Sequence, residues 1–421
     1  MSNHASYRVR AVHCDHRASD EEVYQALKRA TDPLEASWAK LQAAQRITIK
    51  FNQAWPPERL VYLDGNLQEL VDFKVARATL RLLRERTKAD LVCVEISTDA
   101  AHSGRPVEEN ITLMPLLKEF DVAFVDGNQP PHKVFEVPGG GQMFRQYLLP
   151  ECVVDTDAFV SVQPMKNHAF QGITLSLKNL FGLPVMEPHG RSRSYFHHII
   201  RLSYVLVDLG LLVQPALNII DGLVGQSGRE WGGQGRIADT LVAGDHTIAT
   251  DACGAYLMGF HPLIDWPYQP FVRDRSALRI AHECGFGTAD ITKIDFATEV
   301  EAPVASFRTQ ETDPYETVLA WRRSTCEQAL YYRDNQKRLT DQYAGEYILL
   351  QDNEVKWHSK SSELGVSRRV LAGPAKQSAM FLKLADPEEA EGEHFEVYER
   401  ELERIKEIEA TFTPRLAAPS H

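Results

Sequence analysis

MKNHAFQGITLSLKNLFGLP, from Met165 to Pro184, comes directly after the run DAFVSVQP at residues 157–164. The run reads as a buried β-strand, and Pro164 predicts its end or an irregular exit. Lys166, Asn167 and His168 then stand at the carboxyl end of that strand, where open α/β sheets bind ligands. Gly172 permits an unusual turn, and the spacing predicts a short helix from about Ile173 to Phe181, stopped by Gly182 and Pro184. On that helix Thr174 and Lys178 share a face. Two lysines, Asn167, Asn179 and His168 lie inside a segment that otherwise reads as buried, which is costly unless they are paired.

Outward from this stretch, apolar strands alternate with helical segments. RITIKFN, ADLVCVEIS, FDVAFVDG, ALNIIDGLVG and DTLVAGD read as strands; FKVARATLRLLRERTKA, YVLVDLGLLV and HTIATDACGAYLMG read as helices, the last with Asp245 or Thr247 as N-cap. The rhythm predicts an α/β fold, a mostly parallel sheet with helices on both faces. Residues 1–44 form a helical lead-in, 45–300 the α/β domain, and 301–421 a C-terminal extension. The extension carries a long helix or helix pair, a small β-hairpin turning at Asp352-Asn353, and a charged tail.

A net charge of -12 argues against a nucleic-acid partner. A local basic pocket for a small anionic molecule stays compatible with it. The six cysteines are scattered without a CxxC pair, so no iron–sulphur cluster is expected. The N-terminal MSNHASYRVRAVHCDHR contains no apolar run, and the sequence shows no membrane span. The expected location is the cytoplasm, with no membrane partner. The HCDH run at His13–His16 reads as surface.

Candidate chemistry gathers in five places. Lys166 is a base or an anion clamp, and His168 a proton carrier or metal ligand. Lys178 and Asn179 serve an anion or cap a helix end. HGRSRSYFHHIIR (189–201) predicts a helix from Ser194 that puts His197 and Arg201 on one face, suited to carboxylate or phosphate. The glycine-rich DGLVGQSGREWGGQGR (221–236), with Asp221, Gly225 and Arg236, either offers amides to an anion or is a mobile surface loop. Asp251 sits among alanines and needs a partner, and Lys50 with Asn52 leaves the tip of the RITIKFN strand.

IKFNQ, FKVARATLRLL, DAFVSVQPMKNHAFQGITLSLKNLFG, IIDGLVG, LVAGDHTIATDACGAYLMG and AHECGFGTADITKIDF occur here in one order. In that order they resemble domain-of-unknown-function family 362, over roughly residues 45–300. The resemblance points to Lys50, Asn52, Lys166, His168, Lys178, Asn179, Gly182, Asp221, Asp245 and Asp251. Many relatives carry an iron–sulphur cysteine cluster and an export signal; this sequence has neither. The residues together point to an enzyme acting on a small anionic metabolite, a carboxylate or phosphate, by lysine and histidine acid–base chemistry. Isomerisation, epimerisation, elimination and hydrolysis all suit the set. The alternatives are a non-catalytic anion-binding or assembly protein, and an enzyme holding a divalent metal ion on His168, His197 and Asp251.

Overall fold

The computed structural model describes residues 7–364 and 381–412; the rest of the lead-in, extension and tail lies outside the described residues. The strands of the main sheet are β1 (Arg8–His13), β2 (Arg46–Phe51), β3 (Asp90–Glu95), β4 (Ala123–Asp126), β5 (Ala158–His168), β6 (Gly172–Thr174), β7 (Leu217–Ser227), β8 (Gln234–Gly244) and β9 (Asp295–Thr298). Their order is β9-β1-β8-β7-β5-β2-β3-β4, and β6 folds back onto the end of β5. Neighbours pair parallel except around β8, which runs antiparallel to both β7 and β1. The fold is α/β, with a mostly parallel sheet.

Alternation along β2 sorts its side chains between two cores. Ile47, Ile49 and Phe51 join Val160 and Val162 under the helices Asp20–Thr31 and Phe73–Arg86. Thr48 and Lys50 therefore point to the other face. That face is covered by the helices Ser176–Asn179, Arg201–Val213 and Thr247–Leu257. Ile348, Phe381 and Tyr398 from beyond residue 300 share this second core with Tyr195 and Leu206. Arg322, fully buried, bridges Asp274 (2.6 Å) and Glu401 (2.5 Å), which ties the helix Glu396–Thr411 into the body of the molecule.

Four expectations change. The lead-in is not only helical, because β1 joins the sheet beside β8. β5 runs on through Pro164 to His168, since its pairing with β7 slips between Asp221 and Gln226, so that the ladder is interrupted beside the proline, which has no N–H to donate to it. The helix expected from Ile173 begins at Ser176, because Gly172–Thr174 pairs back with Lys166–His168, so Thr174 and Lys178 do not share a helical face. His246, not Asp245 or Thr247, caps the helix Thr247–Leu257. The hairpin turn at Asp352-Asn353 is as expected, both residues at positive φ (54° and 61°), as a tight hairpin turn requires. No described helix is long and apolar enough to cross a membrane.

Candidate active site

The carboxyl ends of β2, β3 and β5 bring Lys50, Glu95, Lys166 and His168 to one edge of the sheet. The fold-back at Gly172 (φ +80°) lays the helix Ser176–Asn179 across them; a Cβ at Gly172 would stand 2.8 Å from the Phe271 ring. That helix needs an anchor, because its first amides have no partners of their own. Asp251 supplies one, accepting the amides of Ser176 and Leu177 at 2.8 Å each. Burial lifts its carboxyl to about 7. Asp251→Asn keeps one acceptor and sets an NH2 group against the second amide. We expect a loss of about 1–3 kcal/mol, read as a lowered urea midpoint with an unchanged slope.

Lys166 is 1% exposed; its Nζ donates to the Glu69 carbonyl (2.6 Å) and to Asn52 Oδ1 (3.3 Å), and lies 4.6 Å from the centre of the Trp231 ring. Burial lowers its amine to about 8, with Glu69 and Glu230 pulling the other way. Lys178 is partly buried, its Nζ 4.4 Å from the Phe181 ring centre. Among the described residues no hydrogen-bond partner reaches that ammonium. Burial, then repulsion from Arg193, Lys166 and Lys50, brings it down to about 7 against the attraction of Glu230.

His168 is held in one protonation state. Its Nδ1 accepts the amides of Phe170 (3.0 Å) and Gln171 (3.1 Å), so its single proton sits on Nε2. Burial and the charges of Lys178 and Lys166 push its pKa well below the ordinary value. His168 is therefore a neutral donor. His197 stacks on it with ring centres 5.5 Å apart, and its pKa is likewise lowered by burial and Lys178.

The remaining candidates are spread more widely. Lys50 is in the cluster but spent, since its Nζ meets Glu95 at 2.7 Å with both side chains buried. Asn179 donates to the Lys50 carbonyl and Ser161, and Asn167 to the Gly172 carbonyl and Thr309; both hold the fold-back together. Asp221 accepts the amides of Asp72 and Leu223, and Arg236 donates to the Ser306 carbonyl. Gly225 lets β7 pass the Met165 carbonyl, which a Cβ would approach to 2.8 Å. Asp245 follows β8, whose Gly244 pairs with Asn218 at the start of β7, so it lies at the opposite end of the sheet.

His197 and Arg201 do not share a helix face. The helix Arg193–Phe196 ends at His197, and Ile200 at φ 72° turns the chain before the helix Arg201–Val213. A β-branched residue there is strained by about 1–3 kcal/mol; Asp274 holds its amide at 3.0 Å. Arg201 does grip a carboxylate, the protein's own Glu393, at 2.7 Å. Nor do His168, His197 and Asp251 form a ligand set, because both Asp251 oxygens are taken by helix amides. Two other groups among the described residues bring three ligand atoms within 4.8 Å, namely Asp15/His16/Asp239 and Glu389/Glu391/Glu393. His16, in the run expected at the surface, is buried and meets Asp239 at 2.7 Å.

Three contributors receive no role of their own from the sequence. Glu95 ends the strand beside β2, and Arg193 donates to the carbonyls of Phe181, Gly182 and Pro184 behind Lys178. Glu230 sits between Gly228 and Trp231 in the glycine-rich loop, hidden by a neighbourhood that reads as backbone only.

Residues 60–256 match the family model described as Domain of unknown function (DUF362). The match spans just under half of the chain. The region includes Lys166, His168, Lys178, His197, Glu230 and Asp251, and its lower border falls after Lys50. The thylakoid-associated protein sll1697 of Synechocystis sp. is 27% identical over 160 residues, covering 35% of this chain and 46% of that protein. This chain thus aligns with just under half the length of that relative. The solved lactate racemase apoprotein of Thermoanaerobacterium thermosaccharolyticum is similar at a TM-score of 0.39 and 14% identity, over 61% of this chain and 57% of that one.

Proposed function

We propose that the protein is an enzyme acting on a small anionic metabolite by lysine–histidine acid–base chemistry. The supporting observation is Lys178, a partly buried residue whose amine is brought to about 7 with no hydrogen-bond partner among the described residues. Half neutral near physiological pH, it is poised to take a proton. Lys166, at about 8, stays mostly charged there and holds the anion. His168 donates from Nε2 to an oxygen that gains charge as the proton leaves. His197 packs against the imidazole and keeps water from it. The same groups serve isomerisation, epimerisation or elimination.

The test starts with a thermal-shift screen of acidic metabolites, followed by turnover of any ligand found. A ligand at a hundred times its Kd stabilises the native state by about 2.7 kcal/mol. For a turned-over ligand, kcat/KM should rise with pH through about 7 as Lys178 loses its proton, and fall above about 8 as Lys166 does. Lys178→Arg should abolish the acidic limb together with most of the rate, about a hundredfold or more. Binding that survives His168→Ala and Lys178→Arg, with no turnover by the native protein, would replace the enzyme by a binding protein.

A further inference from the structure

The site described above is already occupied by a carboxylate, and it belongs to the protein. Glu230 Oε2 accepts the Ala169 amide at 3.0 Å, in the turn between β5 and β6, and lies 3.5 Å from His168 Nδ1. The second contact is not an ion pair, because that nitrogen is already an acceptor. What holds the carboxylate is one turn amide and the field of the surrounding cations. Glu230 attracts Lys166, Lys178 and Arg273, and it stabilises the charged form of His197.

The other cations are spoken for. Lys50 faces Glu95, Arg273 faces Asp313, and Arg193 is satisfied by carbonyls. Lys178 is left, together with Lys166, whose ammonium donates to the Glu69 carbonyl and Asn52 but pairs with no carboxylate among the described residues; Glu230 is the carboxylate that acts on both.

The segment carrying Glu230 is a short loop between two glycines. Gly228 (φ +99°) and Gly232 (φ +65°) flank it, in backbone conformations that side-chain-bearing residues rarely adopt. Gln226 donates to the Arg229 carbonyl at 2.7 Å and the Gln310 amide to the Gly228 carbonyl at 2.8 Å. Gly232 donates its amide to Glu69, Gln68 reaches the Gly233 carbonyl, and Trp231 stacks on Trp55 with ring centres 4.4 Å apart and planes 13° from parallel. Trp231 also covers Lys166.

We propose that Glu230 is an internal stand-in for the ligand, so that the natural substrate is an organic monocarboxylate whose carboxylate displaces Glu230 from the Ala169 amide and opens the 228–233 loop. This rests on the anion-site reading above and narrows it. A carboxylate replaces Glu230 charge for charge and shape for shape. A phosphate dianion brings one negative charge more than leaves, and its tetrahedral shape does not match the planar carboxylate it would replace.

The test compares acetate and inorganic phosphate as probes, titrated by calorimetry into the full chain and its Glu230→Gln variant at low ionic strength. Glutamine keeps the shape and removes the competing charge. Acetate should bind the variant at least tenfold more tightly than the native chain, and phosphate should gain less. A second readout needs no variant: acetate added to the native protein should abolish the near-ultraviolet circular dichroism of the coupled Trp55–Trp231 pair. Unchanged acetate affinity, or a larger gain for phosphate, overturns the stand-in while leaving an anion site at Lys178. Acetate binding with the tryptophan coupling intact overturns the displacement. If neither anion binds either protein, both the stand-in and the anion site fall.

Discussion

At pH 7, an acylating reagent in substoichiometric amount should modify Lys178 ahead of the exposed lysines. A lysine held at about 7 is about half neutral at that pH. An ordinary lysine at about 10.4 is neutral in only about 0.04% of molecules. The reactive fraction is thus about a thousandfold larger, and the lower intrinsic nucleophilicity of a weaker base gives back only part of this. Peptide mapping by mass spectrometry reads the result. Labelling spread over the surface lysines in proportion to exposure would remove the amine base from the mechanism. The same depression has a stability signature of fixed sign. Between about 7 and the unfolded value the unfolded chain binds a proton that the native site does not, so stability contributed here rises with pH across that window and is lowest below it.

Lys383→Met should be among the most destabilising single substitutions in the chain. The Lys383 ammonium is fully buried and contacts Glu389, Glu391 (2.5 Å) and Glu393 (3.0 Å). Arg191 and Arg201 complete the balance against Glu391 and Glu393, so three cations face three carboxylates. This is also why the three glutamates do not call for a metal ion. Removing the central cation strands buried charge, at a cost of about 3–5 kcal/mol. The loss should be largest near neutral pH and shrink on acidification. In the variant the glutamates keep their protons to higher pH than in the unfolded chain, so its stability falls as pH rises through their titration. Urea denaturation at two pH values measures both effects. A loss under about 1 kcal/mol, or one independent of pH, would show that the cluster is solvated in solution.

How much of this was legible in the sequence follows from what each signal depends on. The sheet was, because the hydrophobic runs of β2, β3, β5 and β7 are local and their period is unambiguous. The meeting of Lys50, Lys166 and His168 was legible for the same reason, since strand tips meet at one edge of a parallel sheet; the placing of Lys178 depends on the Gly172–Thr174 fold-back, which was not. Three things depended on contacts distant in sequence. Whether Lys50 is free or spent is decided by Glu95 on another strand. Whether Asp251 serves chemistry or a helix end is decided by the amides of Ser176 and Leu177. The break at Ile200 was invisible, because the segment on both sides has good helical character and only Asp274, more than seventy residues on, holds the turn. Glu230 was missed because a glycine-rich context directs attention to main-chain amides.

One consequence follows from the way the helix Glu396–Thr411 is fastened. Arg322 joins its Glu401 to Asp274, the residue that holds Ile200 between the helix ending beside His197 and the helix that follows. The stretch that homology delimits is therefore not the stretch that folds. A protein trimmed to residues 60–256 would keep Lys166, His168, Lys178 and His197 but lose Lys50 with its strand, and lose the buttress that sets their angles. What is inherited as a recognisable unit and what melts as a unit have different borders in this molecule.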